Sequence, residues 1–166
     1  MDIAKLKNWW WYHKKPVLLA ALVAAALLYM GIQDRQTVKP DYHVGLVSTT
    51  PFSPEQLSQM EEAFRTAGED SNGDGQVTVQ IHTYAVNLAD EDPNSGYYNH
   101  EILSGLDGDL IGKMSGIFLL EDVETFQQVT GGILSDAAIS WEYDLSLAVR
   151  KDADPVYHQL FNTFSP

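Results

Sequence analysis

The hydrophobic pattern divides this chain into one long apolar run and a series of short periodic segments. Val17 to Ile32 holds sixteen residues without a charge. Leu, Val and Ala dominate it, and each Leu or Val favours membrane insertion by roughly 0.3–0.6 kcal/mol. As a helix rising about 1.5 Å per residue it would reach about 24 Å, short of a hydrocarbon core about 30 Å thick. Residues 16–32 are therefore expected to form a short transmembrane helix whose flanks cover the difference. Trp9, Trp10, Trp11 and Tyr12 suit an aromatic interface belt, and Lys14 and Lys15 can snorkel. Pro16 fits a first helical turn.

Beyond this run the periods become those of a folded domain. Residues 33–42 are polar and aperiodic, a short linker. His43–Ser48 reads as a strand. Ser53-Pro54-Glu55-Gln56 is a helix start, with Leu57, Met60, Phe64 and Ala67 on one face and Gly68 as the stop. Val77, Val79 and Ile81 alternate with polar residues in a strand over 76–86. Residues 87–99 form a loop with the acidic run Asp90-Glu91-Asp92. A helix from about His100 would turn Ile102, Leu103, Leu106, Leu110 and Ile111 inward. Ile117-Phe118-Leu119-Leu120 is apolar on both faces, as in a covered central strand. Asp122 can cap a helix with Phe126 and Val129 inward, broken by Gly131-Gly132. Residues 133–144 look irregular, Leu145, Leu147 and Val149 alternate as a fourth strand, and Asp154-Pro155 starts a last short helix. Strand and helix alternate throughout. The expected fold is a three-layer α/β sandwich with a mostly parallel sheet of about four strands, carried on the N-terminal helix. The expected organisation is a basic, aromatic cytoplasmic segment 1–15, the membrane helix 16–32, the linker 33–42 and an extracytoplasmic domain 43–166.

Charge sets the orientation. Four lysines and one aspartate give residues 1–32 a net charge of +3, and residues 33–166 carry −16. The excess of lysine before the helix places the N-terminus in the cytoplasm and the acidic domain outside the cell membrane. A cleaved secretory signal shares the charged start and apolar middle. Leu27-Leu28-Tyr29-Met30-Gly31-Ile32, however, offers no good small-x-small cleavage site. A domain this acidic repels nucleic acid and anionic lipid. The chain has no cysteine, so packing must stabilise the domain without disulfides.

Asp70-x-Asn72-x-Asp74-Gly75 matches the first six positions of a calcium loop, with Gln76 able to offer its carbonyl and Thr78 at the ninth position. The candidate ligands for a structural Ca²⁺ are Asp70, Asn72, Asp74, Gln76 and Thr78. The twelfth position is Ile81, where a bidentate acid is required, so the last carboxylate would have to come from elsewhere. A plain Gly-Asp-Gly turn between helix and strand needs the same residue types. A second candidate is the carboxyl edge of the sheet, where Ser48, Thr49, Thr50, Asn87, Glu121 and Asp122 would gather. Ser53 and Asp122 are already accounted for as helix caps. His43, His82, His100 and His158 are scattered. There is no His-Glu-x-x-His, no Gly-x-Ser-x-Gly elbow, and no glycine-rich loop leading into a helix.

The Trp-Trp-Trp-Tyr-His-Lys-Lys foot at 9–15, Lys39-Pro40-Asp41-Tyr42 and the Gly68–Gly75 loop resemble small membrane-anchored proteins of Gram-positive, Clostridia-like gut bacteria. Ile117–Asp122 is similar to a strand-to-helix junction of solute-binding proteins, whose two-lobed size this chain does not reach. These resemblances imply location and fold, and no activity. The sequence thus predicts a non-enzymatic binding or accessory domain, held to the bilayer through residues 16–32 beside a membrane-protein partner. A small-ligand receptor using the sheet edge is the alternative, and an enzyme without a recognisable motif the third.

Overall fold

A computed structural model describes residues 3–36, 39–90 and 100–165. The chain forms two compact units, Met1–Val38 and Lys39–Pro166. The first is a single helix, α1 (Ile3–Gln36), which continues through Pro16 and into the first residues of the expected linker. Its described side chains are Trp10, Trp11 and those of residues 13–29. Leu18, Leu19, Leu22, Val23, Leu27, Leu28 and Tyr29 are all exposed. Lys14 Nζ lies 3.9 Å above the Trp11 ring, a cation–π contact. Among the described residues no helix is long and apolar enough to cross a membrane. The span expected over 16–32 thus has no support there, and its side chains from Met30 to Ile32 lie outside the described residues.

The second unit runs β1 (Tyr42–Ser48), α2 (Pro54–Ala67), β2 (Val79–Ala85), α3 (His100–Gly112), β3 (Ile117–Leu120), α4 (Val123–Thr130), β4 (Leu134–Ser140), a 3₁₀ turn at Glu142–Asp144, β5 (Ser146–Arg150) and α5 (Pro155–Phe164). The sheet order is β2-β1-β3-β5-β4. β1 is parallel to β2 and β3, whereas β5 is antiparallel to β3 and β4. The sheet is therefore mixed and five-stranded, correcting the expected mostly parallel sheet of about four strands. The strand unseen in the sequence is β4, within the stretch read as irregular. It lies at the sheet's edge, its register with β5 slips between Leu134 and Ala138, and Leu134 is its one fully buried residue. Such a strand carries almost no alternation. The short 3₁₀ turn then forces β5 to pair antiparallel with it, since parallel neighbours need a long crossover.

Local chemistry explains the helix ends. Ser53 Oγ accepts from Gln56 N–H at 3.3 Å while Gln56 Oε1 accepts from Ser53 N–H at 2.9 Å, a reciprocal cap. Gly68 ends α2 beneath the Tyr42 ring, where a Cβ would sit 2.6 Å from Cε2. Asp122 caps α4 through Thr125 N–H at 2.9 Å, and Gly131 closes it at φ 71°, a conformation that costs other residues.

Two hydrophobic layers enclose the sheet. Tyr42, Val44, Leu46, Ile117, Leu119, Leu147 and Val149 pack with Met60 and Phe64 of α2 and Leu160 and Phe161 of α5. On the other face Val47, Tyr84, Phe118, Leu120 and Ala148 pack with Leu106 of α3 and Phe126 of α4. Every residue of β3 is buried, as its two-sided apolarity requires. Two residues expected inward face out instead, Ile111 at 84% exposure and Val129 at 57%. Each lies near the end of its helix, past the stretch that covers the sheet.

Candidate functional site

The carboxyl edge of β1 and β3 forms a shallow cavity of about 150 Å³, lined by residues that include Thr49, Asn87, Glu121, Asp122 and Thr125. Of the edge expected from the sequence, Ser48, Thr49, Asn87, Glu121 and Asp122 line this cavity and Thr50 does not. Its polar groups, however, are engaged by one another or by nearby backbone. Thr49 donates its N–H to Glu121 Oε2 at 2.6 Å and its hydroxyl to the same oxygen at 2.8 Å. Asn87 Oδ1 accepts from Ala89 N–H at 3.0 Å. Ser48 donates Oγ–H to the Thr50 carbonyl at 2.7 Å. Asp122 takes both the N–H and the hydroxyl of Thr125, and these bonds lower its pKa. Pockets for drug-sized ligands run to about 300–1,000 Å³, so this one suits water or a very small polar molecule.

The loop over 70–78 lies near the other end of β1. Gly73 and Gly75 N–H donate to the two carboxylate oxygens of Asp70 at 2.6 and 2.8 Å. Asp74 N–H donates to Asn72 Oδ1, and Gln76 N–H to Asp74 Oδ1, both at 2.9 Å. Gly73 and Gly75 hold φ of 75° and 87°, accessible to glycine at little cost. The sequence left open which remote acid approaches the loop, and the structure places Asp41 there. Its Oδ1 accepts from Ser71 N–H, Ser71 Oγ and Asn72 N–H at 2.8–3.0 Å. Its Oδ2 accepts from Thr78 N–H at 2.8 Å and Thr78 Oγ1 at 3.2 Å. Asp41 is therefore a clamp on the loop's backbone. Thr78 Oγ1 is engaged by Asp41, and the Asn72 amide nitrogen donates to the Lys39 carbonyl at 2.8 Å. Calcium takes six to eight oxygens. Asp70, Asn72, Asp74 and the Gln76 carbonyl supply a partial set, with no acid in the twelfth position. Among the described residues no group of three or more His, Cys, Asp or Glu side chains could hold a metal ion.

A third polar cluster, missed in the sequence, is buried under α3. Asp109, 2% exposed, accepts from Ser115 N–H at 2.7 Å, Ser115 Oγ at 2.6 Å and Tyr84 Oη at 2.8 Å. Burial, followed by the bond to Asp109, raises the Tyr84 pKa well above its ordinary value, so the phenol stays a donor. Arg150, 5% exposed, donates to the Leu110 carbonyl at 3.1 Å and to Asp152 at 3.0 Å. Lys113 meets Asp152 at 2.7 Å, and Lys113 followed by Arg150 lowers the Asp152 pKa to about 2. On β1 and β2, His43 Nδ1 and His82 Nε2 stand 3.0 Å apart with the ring planes 15° from parallel. The only trace of this cluster in the sequence was Asp107-Gly108-Asp109, an acidic interruption of an otherwise apolar helix pattern.

No protein-family model, no curated protein and no solved structure matches this chain. The two resemblances read from the sequence rest on the quoted residues alone.

Proposed function

We propose that the protein is a single-pass membrane protein whose acidic α/β unit serves outside the cell membrane as a non-enzymatic binding or accessory module. The carrying observation is the 34-residue helix α1, whose apolar side chains from Leu18 to Tyr29 are exposed around it. Apolar residues on all sides call for a lipid or protein environment. The sequence stays uncharged to Ile32, and the aromatic and lysine flank at 9–15 suits a cytoplasmic interface. The small, internally bonded cavity at the sheet edge favours an accessory role over the alternative of a small-ligand receptor. Alkaline carbonate extraction tests the anchor. The full chain stays in the membrane pellet and a chain starting at Lys39 is released; release of both sinks the proposal. Gentle solubilisation of the full chain then co-purifies a membrane-protein partner.

The loop over 70–78 supports a second, subordinate reading as a weak structural calcium site. Three side chains, Asp70, Asn72 and Asp74, are held in place by successive backbone N–H groups, which would orient them before calcium arrives. With an incomplete donor set, affinity falls in the millimolar range, about 10⁻⁴–10⁻³ M, of weak extracellular modules. Melting in 5–10 mM calcium, roughly tenfold above that range, is expected to exceed melting in chelator by a few degrees. A zero shift, or one that survives Asp74→Ala, removes calcium from the account.

A further inference from the structure

We infer that His43 and His82 form a proton-operated latch on the seam between β1 and the edge strand β2. Nδ1 of His43 and Nε2 of His82 are 3.0 Å apart, and the rings lie edge to edge, 5.3 Å between centroids with 15° between their planes. A contact this short carries one hydrogen between two nitrogens, so one ring donates and the other accepts. It survives when both rings are neutral, and it survives one added proton elsewhere on the pair. A second added proton leaves no acceptor and sets two N–H groups and two charges against each other. The rings must then part.

The surroundings make that parting consequential. In the β1–β2 register His43 lies opposite Gln80 and His82 opposite Gly45, so the ring contact bridges the strands diagonally. Gly45 has no side chain because the Phe118 ring fills that place; a Cβ there would run into the ring. Both histidines are half-buried. β2 pairs with β1 alone among the described strands, so among them the β1 ladder is what holds it in the sheet. The titratable groups on the neighbouring elements include Tyr42 of β1, Tyr84 of β2, His100, Glu101, Asp107 and Asp109 of α3, and Tyr157 and His158 of α5. Tyr157 Oη accepts the His43 backbone N–H at 3.0 Å. Asp109, the acid that acts on His43, is already committed to Ser115 and Tyr84 and offers the second proton little compensation. Burial, then the neighbouring charge of His82, lowers the His43 pKa, and Asp109 opposes them only in part. A lowered pKa means that the unfolded chain takes this proton first. The latch is therefore whole above about pH 6.5 and lost as pH falls through the lower folded value.

The full chain in mild detergent tests this by NMR titration of its histidines and by amide-exchange protection of β2 between pH 7.5 and 5. The expected result is a coupled titration of His43 and His82, with the second step displaced to acid. β2 protection then falls about tenfold for each pKa unit of that displacement. His82→Gln, which keeps a hydrogen-bonding partner that does not titrate, is expected to flatten the change. Independent titration of both rings near their ordinary value overturns the latch without any variant. So does a pH response of β2 that is unchanged in His82→Gln. The inference does not depend on where in the cell the domain resides.

Discussion

The two ends of the parallel strands contrast sharply. At the carboxyl end Thr49, Asn87, Glu121 and Asp122 are exposed or half-exposed, and they bond to one another, hold a neighbouring backbone N–H or cap a helix. At the amino end Asp41, Asp109 and Arg150 are buried, and each ties together segments distant in sequence. A carboxylate at the first end exchanges water for a single partner. At the second it must satisfy every lone pair within the protein or leave an uncompensated charge. The lesson is that the end where α/β folds usually bind ligands is here chemically modest, while the demanding chemistry is structural and lies at the opposite end.

Substitutions that unbalance the two ends make the contrast measurable. Asp109→Ala has the largest expected effect, because it strands the Ser115 N–H, the Ser115 hydroxyl and the Tyr84 phenol inside the protein. A loss of about 3–5 kcal/mol in urea unfolding is expected. Asp41→Ala comes next, at about 2–3 kcal/mol, since some of its five donors can reach water once the loop relaxes. This acid also has a pH signature. Burial works against its charge, but the bonds from Thr78, Asn72 and Ser71 outweigh it, and its pKa lies below 3.8. Its stabilisation is therefore full above 3.8 and lost as pH falls through the lower folded value. Acid unfolding below pH 4 should be shallower in Asp41→Asn than in the wild type. The smallest effect belongs to the carboxyl end. Glu121→Gln keeps an acceptor for Thr49 and is expected to change stability by no more than about 0.5–1 kcal/mol. Equal losses for Glu121→Gln and Asp109→Ala would erase the distinction between the two ends.

Much of the fold was legible because it is written locally. The cap at Ser53, the stop at Gly68, the two-sided apolarity of 117–120 and the cap at Asp122 each lie within a few residues of the element they define. What escaped was non-local. β4 carries a single buried residue, so its place depends on β5 offering an edge. Asp41 sat in a stretch that reads as linker, and its partners are 30–37 residues away. The loop over 70–78 was recognised by its spacing, but spacing could not tell how far its side chains and Asp41 are engaged by the backbone.

The sequence by itself determined the alternation of elements, the apolar N-terminal run and the division of charge, because periodicity and composition act through neighbours along the chain. Tertiary structure alone decided the mixed sheet, the clamp at Asp41, the buried Asp109 cluster and the meeting of His43 with His82. These depend on which strands lie side by side and which polar groups lose their water, and both follow from packing that brings together residues tens of positions apart.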